Sequence, residues 1–239
     1  MLEYFKKPSI AAPGKINFID VGSVGKLPEP WNKSPDLIDT ILKFEPRESD
    51  EQEENVISID TALWEEKCIK NFYIYKGFNN TGSSLFFQNF KYVRDNWDEL
   101  NEVGPKRFAE TWVDRGELVG VERIECDYLD NVLKSLKPKT KFDFLKIDAQ
   151  GAEHQILKGA TKFLSEDCVG LVLELFRIPL YEGISLIDNV VEFLETYGFY
   201  LAHKFPPHGT FDSQNDCLFL KKNAPQERLS VIEKIYELK

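Results

Sequence analysis

An α/β fold, doubly wound with helices on both faces of its sheet, is what the sequence predicts, on three observations. Short β-rich apolar runs alternate with helical stripes for most of the length, the pattern of repeated strand–helix–strand units. The run Gly170–Leu175 (GLVLEL) is nearly continuous in apolar residues, as expected of a strand buried on both faces of a parallel sheet. A length of 239 residues suits one large domain, or at most two small ones, with ample room for a core.

Taken in order, residues 1–15 form an N-terminal extension, and Ile16–Val21 (INFIDV) reads as the first buried strand, ended by a Gly-x-x-Gly turn. Ile41–Phe44 (ILKF) and Val56–Ile59 (VISI) are the next two strands. Phe72–Tyr75 (FYIY) and Val121–Cys126 (VERIEC) continue the series. Between them, from about residue 86 to 120, the alternation breaks. Phe90, Trp97, Phe108 and Trp112 stand there among charges, which predicts a mostly helical insertion serving as a lid or side wall. Leu129, Val132, Leu133 and Leu136 then fall at i, i+3, i+4 and i+7, one face of a helix, with Asp127 as its N-cap. Phe142–Ile147 is a strand, and Ile156, Leu157, Ala160, Phe163 and Leu164 make the next helical stripe. Leu186, Ile187, Val190, Val191, Leu194 and Tyr197 form another helix, stopped by Gly198. Phe199–His203 and Cys217–Lys221 are the last strands. In residues 226–239, Leu229, Ile232 and Ile235 mark an amphipathic helix that packs on its own domain or, as the second reading, makes a homodimer contact.

Charge and composition exclude several function classes. With 30 Lys+Arg against 40 Asp+Glu the net charge is −10, and no stretch concentrates the bases, which counts against nucleic acid as a partner. Eighteen Phe, nine Tyr and four Trp are too many rings for a disordered chain. Cys68, Cys126, Cys168 and Cys217 lie far apart, which argues against a structural zinc site and a disulfide framework. The N-terminus lacks the apolar run of a signal peptide, and no stretch approaches the ~18 apolar residues of a membrane span. A cytoplasmic protein with reduced thiols and no membrane insertion is expected. The run Glu48–Glu54, five acids in seven residues, reads as a solvated loop or helix start.

In a doubly wound sheet ligands collect beyond the carboxyl ends of the strands, so the residues just after each strand carry the chemistry. After the first strand comes Asp20-Val-Gly22-Ser23-Val-Gly25. Two glycines allow a tight turn and close ligand approach, and an acid at the strand end favours a cationic or donor-rich ligand. The middle glycine of a dinucleotide fingerprint is missing, so the turn suits a nucleoside without phosphates. Glu45, followed by Pro46, ends the second strand roughly 20 residues later, where an acid accepts both ribose hydroxyls. Asp60-Thr-Ala62 follows the third strand, at the height of an adenine edge. Together these segments describe a pocket for adenosine with a cationic tail, which is S-adenosylmethionine.

The most specific segment is Lys146-Ile-Asp148-Ala-Gln150-Gly151-Ala-Glu153-His154-Gln-Ile-Leu-Lys-Gly159. It resembles the signature of the FkbM family of methyltransferases: Lys-Ile-Asp, Gly-Ala-Glu, then Leu-Lys-Gly. The resemblance covers most of the chain, including the Asp20-Val-Gly22 turn, Phe44-Glu45-Pro46 and Tyr128-Leu129-Asp130. Gln150, where many members have Glu, fits a branch with a Leu-Pro-x-x-Trp segment, here Leu27-Pro28-Glu-Pro-Trp31. Ser83-Ser84-Leu85 and Leu180-Tyr181-Glu182-Gly183 match the same branch. One departure is the turn Gly22-Ser-Val-Gly25, which lacks the family's usual Asn.

The resemblance implies a Rossmann-like class I methyltransferase fold, with a mostly parallel seven-stranded sheet and an S-adenosylmethionine-dependent O-methyltransferase activity. It also implies acceptors among saccharides and secondary metabolites. Methyl transfer to a hydroxyl needs alignment of the acceptor oxygen and removal of its proton. Asp148, at a strand end beside the expected sulfonium, is the first candidate for a catalytic role and is also expected to bind the cofactor. Glu174, in or at the end of the strand LVLELF, is the second. His154 and His208 are candidate bases because imidazole titrates near neutrality. Glu153 has two readings, a cap of its helix or a site residue. Two acids do not make a metal site, and none is expected. The aromatic insertion suits stacking on sugar faces, or merely anchors itself to the domain. A non-catalytic protein keeping the fold for assembly or binding is the alternative.

Overall fold

In the computed structural model, residues 10–22, 27–46, 55–78, 81–136 and 140–238 are described. The first strand, β1 (Ile16–Val21), is buried at every position, so strands must flank it on both sides. It pairs in parallel with β2 (Ile38–Phe44), which in turn pairs in parallel with β3 (Val56–Ile59). The short β4 (Ala62–Leu63) and the longer β5 (Cys68–Tyr75) follow. Four short helices come next: α1 (Phe90–Asp95), α2 (Trp97–Leu100), α3 (Lys106–Glu110) and α4 (Trp112–Arg115). After β6 (Leu118–Asp127) and α5 (Leu129–Ser135), β7 (Phe144–Ile147) returns to pair with the other side of β1. Then α6 (Glu153–Lys158) and α7 (Thr161–Glu166) lead to β8 (Gly170–Phe176), and α8 (Ile187–Glu195) leads to β9 (Phe199–Lys204). The chain closes with β10 (Gln214–Lys221) and α9 (Gln226–Ile235).

The main sheet has the order β3-β2-β1-β7-β8-β10-β9. Only β10 is reversed, running antiparallel to both β8 and β9. Helices α5 to α8 cover one face, over Ile19, Leu42, Leu145, Leu171 and Phe219. On the other face, Val231, Ile232 and Ile235 of α9 pack with Trp31 over Phe18, Phe144 and Leu218. Trp31 is fully buried, 4.4 Å from the Phe18 ring and 4.8 Å from Phe144, and its Nε1 donates to Tyr236 Oη. This is the Rossmann-like class I methyltransferase fold. Its chain order reverses beside β1, which is flanked by β2 and β7, and that switch point is where such sheets open a crevice.

Three local features differ from the sequence expectation. The segments FYIY and VERIEC do not extend the main sheet: β5 and β6 pair antiparallel, and with β4 they form a second, three-stranded sheet. Glu122, Arg123 and Glu125 in β6 could not be buried on both faces, as a central parallel strand demands. The stripe from Ile156 to Leu164 is two helices, broken at Gly159. A Cβ on Gly159 would lie 2.3 Å from Trp64 O, so the break lets that chain pass. Asp127 does not cap α5 from the N-cap position, which Tyr128 holds; its carboxylate instead accepts from Tyr128 N and Asn131 Nδ2. Asp130 caps α7, accepting from Lys162 N at 2.7 Å and Phe163 N at 2.9 Å. The four cysteines are free thiols, and no helix among the described residues is long and apolar enough to cross a membrane.

Candidate functional site

The carboxyl ends of β1, β2 and β7, with the turn after β3, surround a cavity of about 810 Å³. Asp20, Gly22, Glu45, Pro46, Ala62 and Asp148 line it, and Phe78 and Gly82, beyond β5, form the facing wall.

Asp20 is fully buried, and its two carboxylate oxygens accept no hydrogen bond from the described residues. Its neighbour across the sheet is Lys146, whose Nζ stands 3.3 Å from Asp20 Oδ1 and 3.9 Å from Asp148 Oδ2. Burial alone would lower the pKa of Lys146, but these two carboxylates outweigh it and raise it. Gly22 has φ 76°, and a Cβ there would sit 1.8 Å from Asp148 O. The close approach of the two strand ends therefore requires glycine. Ser23 and Gly25, the other expected members of that turn, lie outside the described residues, as does the Glu48–Glu54 run. Asp60, expected on the adenine side, is exposed and absent from the lining. Thr61 N donates to Ile59 O at 2.9 Å, a three-residue turn that carries Asp60 outward and leaves Thr61 and Ala62 on the wall.

The loop after β7 holds the densest network. Gln150 has φ 49°, rare for a residue with a side chain. Its Nε2 donates to Asp148 Oδ1 at 2.9 Å and to Glu174 Oε2 at 2.8 Å. Its Oε1 stands 3.3 Å from the Tyr181 hydroxyl, and its carbonyl accepts from Ser84 Oγ at 2.6 Å. Glu153, buried in the first turn of α6, accepts from Ala149 N at 2.9 Å and Gly151 N at 3.2 Å. Burial pushes its carboxyl up to about 7, although those amides pull the other way. Glu153 thus braces the loop from beneath and lines neither this cavity nor the smaller one beside it.

His154, a candidate base in the sequence, lines neither this cavity nor the smaller one beside it. The phase of α6 turns Ala152 and Ile156 to the cavity and His154 towards α8, where Nδ1 meets Ser185 Oγ at 2.6 Å and the ring packs on Phe193. Burial lowers its pKa.

Glu174 and His208 also stand behind the walls rather than on them. Glu174 Oε2 accepts from Gln150 and from Gln214 Nε2, and burial together with neighbouring Asp148 pushes its carboxyl well above the usual range. His208 Nε2 is 3.5 Å from Asp216 Oδ2 and 3.9 Å from Glu174 Oε1. The bond with Asp216 raises the His208 pKa. Ligand atoms of Glu174, His208 and Asp216 lie within 4.8 Å of one another, a set that could hold a hard divalent ion.

A smaller cavity of about 210 Å³ adjoins the first and shares Phe78, Thr81, Gly82 and Gln150 with it. Its remaining walls come from the helical insertion, through Gln88, Trp112 and Arg115, and from Tyr181, Ser213 and Gln214. Sequence reasoning assigned no role to Lys146, Gln150, Tyr181, Gln88 or Arg115. Lys146 had a readable signal, because it shares a strand face with Asp148 two residues on. Gln88 and Arg115 had none, since only the folded insertion brings them to Gln150.

The family described as the methyltransferase FkbM domain matches residues 40–201 of the chain. A crystal structure of a methyltransferase FkbM from Methylobacillus flagellatus KT is similar over 91% of this chain and 46% of its own, at 14% identity and a TM-score of 0.46. The chain therefore spans less than half the length of that protein. No curated protein matches it.

Proposed function

The chain belongs to the FkbM methyltransferase family, and from that premise we propose that it is an S-adenosylmethionine-dependent O-methyltransferase acting on a hydroxyl of a saccharide or glycosylated small molecule. The observation that carries this reading is the meeting of the two cavities at Gln150, beside Asp148. One cavity suits a nucleoside with a charged tail, and the other suits a small polar acceptor.

The residues present fit the cofactor. Asp20 offers a buried carboxylate, beside Lys146, whose oxygens accept no hydrogen bond from the described residues, and Glu45 stands at the end of β2, where a carboxylate meets ribose hydroxyls. Phe44, Ala62 and Leu63 supply apolar wall for a base. When bound, S-adenosylmethionine would supply an electrophilic methyl carbon, its sulfonium sulfur leaving as the neutral thioether. Asp148, on the wall of the larger cavity, takes the acceptor's proton as the oxygen attacks. Gln150 holds Oδ1 of Asp148 while the Lys146 ammonium stands 3.9 Å from Oδ2, and the two together orient the carboxylate. Phe108 and Trp112 provide ring surface for a sugar face, while Gln88 and Gln214 provide amides for hydroxyls.

The test is methyl transfer from methyl-labelled S-adenosylmethionine to a panel of glycosides, followed by mass spectrometry. Methyl ethers on sugar hydroxyls are expected. Cofactor binding without transfer to any glycoside would remove the acceptor class and favour a non-catalytic role.

A further inference from the structure

We propose that the smaller cavity is an acceptor subsite for an anionic sugar, a ring bearing hydroxyls and one carboxylate or phosphate, with Arg115 as the residue that selects the charge. This rests on the methyltransferase reading above and adds the charge of the acceptor to it.

Arg115 ends α4 on the wall of the smaller cavity and is partly buried. Its Nε donates to Thr111 Oγ1 at 3.0 Å, and its Nη2 donates to Phe108 O and Thr210 Oγ1, both at 2.8 Å. A guanidinium has five N–H donors, so the two on Nη1 are left without a bond to any described residue. Phe78 and Phe108 present their rings at 5.2 and 5.4 Å, which positions the cation without neutralising it.

No carboxylate of the described residues pairs with Arg115, although the chain has 40 acids against 30 bases. Two other shielded cations show the paired arrangement. Lys146 has Asp20 and Asp148, and Arg228 has Asp143 at 3.6 Å. A half-buried charge without a counter-ion is costly, and a ligand anion removes that cost.

Two further atoms on the same walls lack partners. Gln88 is 5% exposed and Ser213 is 1% exposed, yet Gln88 Oε1 and Ser213 Oγ make no hydrogen bond to any described residue. A buried polar atom left unpaired is costly, and hydroxyls of a bound ring would offset that cost. Gly116 keeps the place open for Gln88, because a Cβ there would lie 2.7 Å from Gln88 Oε1. Trp112 adds a flat apolar wall beside these polar atoms. The cavity is smaller than the roughly 300–1,000 Å³ of sites for whole drug-sized ligands, so it takes a single ring. Gln150 closes the end facing the larger cavity, which brings one hydroxyl of that ring towards Asp148.

The experiment uses the full chain and three probes: methyl glucuronoside, glucose 6-phosphate and neutral methyl glucoside. S-adenosylhomocysteine is titrated first by calorimetry, and each probe's Kd is then measured by ligand-observed NMR with and without it. At least one anionic probe is expected to bind about tenfold or more tighter than methyl glucoside, and the two anionic arms tell carboxylate from phosphate. Arg115→Gln is expected to erase that preference, whereas Arg115→Lys retains part of it. Gln88→Leu is expected to weaken all three probes alike, which separates hydroxyl from charge recognition if Arg115→Gln does not fold. Equal binding of neutral and anionic probes to the wild-type protein, or no binding of any probe, overturns the proposal. So does an unchanged preference in folded Arg115→Gln. Failure of S-adenosylhomocysteine to bind would instead strike the cofactor reading, and the ratio of probe affinities in its absence still decides the subsite.

Discussion

Gln150 donates from Nε2 to Glu174 Oε2 across 2.8 Å, and the other N–H of the same amide reaches Asp148 Oδ1 at 2.9 Å. One neutral side chain therefore separates and orients two carboxylates at neighbouring strand ends. The arrangement makes Gln150 a positioning residue for Asp148. Gln150→Gly keeps the left-handed backbone but deletes the amide. A hydrogen bond to a charged group contributes about 1.5–3 kcal/mol, so kcat should fall roughly 10- to 100-fold. The melting temperature should stay within about 3 °C, because glycine relieves the strain at φ 49°. Steady-state kinetics beside a thermal melt checks both, and an unchanged kcat would refute the role.

Gly22→Ala should destabilise the fold. Its Cβ would meet Asp148 O at 1.8 Å, at a φ of 76° that alanine resists. A loss of more than about 2 kcal/mol is expected in urea denaturation, with weaker cofactor binding in whatever folds. Unaltered stability would mean that β1 and β7 do not approach as described.

Glu153 ties stability to pH. Its folded pKa is about 7, above the ordinary carboxylate value of about 4.3 in the unfolded chain. Between those values the native state binds more protons than the unfolded state, so this group's contribution is largest at low pH and is lost as pH rises through 7. Glu153→Gln keeps an acceptor for Ala149 and Gly151 but cannot ionise. The variant should lose that slope and exceed the wild type above pH 7, by an amount of order 2 kcal/mol. Denaturation midpoints from pH 5 to 8 provide the check; parallel curves would contradict it.

The histidines should titrate apart. Asp216 raises the His208 pKa, whereas burial lowers that of His154. Side-chain NMR should therefore find one imidazole above and one below the ordinary value of about 6.5. Asp216→Asn should bring His208 down and leave His154 where it was. The stability that His208 contributes is complete below the unfolded pKa and disappears as pH rises through its folded value.

Much of this site could be read from strand ends. Asp20, Gly22, Glu45 and Asp148 follow apolar runs, and in a doubly wound sheet the topology brings such positions to one edge. What escaped was set by distant contacts or by local phase. Gln88 and Arg115 reach the site only because Asn89 N pairs with Leu180 O and Arg115 grips Thr210. His154 stands next to Glu153 in sequence, but one step along a helix turns it to another face. Asp60 is turned outward by a bond between Thr61 and Ile59 that composition does not reveal. Likewise β5 and β6 read as strands, while their pairing into a separate sheet depends on charges in β6 that only their partners make decisive.

The most direct test is calorimetric titration of S-adenosylmethionine into the wild type, Glu45→Ala and Asp148→Asn. The wild type should bind one equivalent, with a Kd of order 1–100 μM. Glu45→Ala should weaken binding about tenfold or more, and Asp148→Asn should stay within about threefold while abolishing methyl transfer. No binding heat in the wild type, or Glu45→Ala binding as tightly as the wild type, would contradict the assignment of the larger cavity to this cofactor.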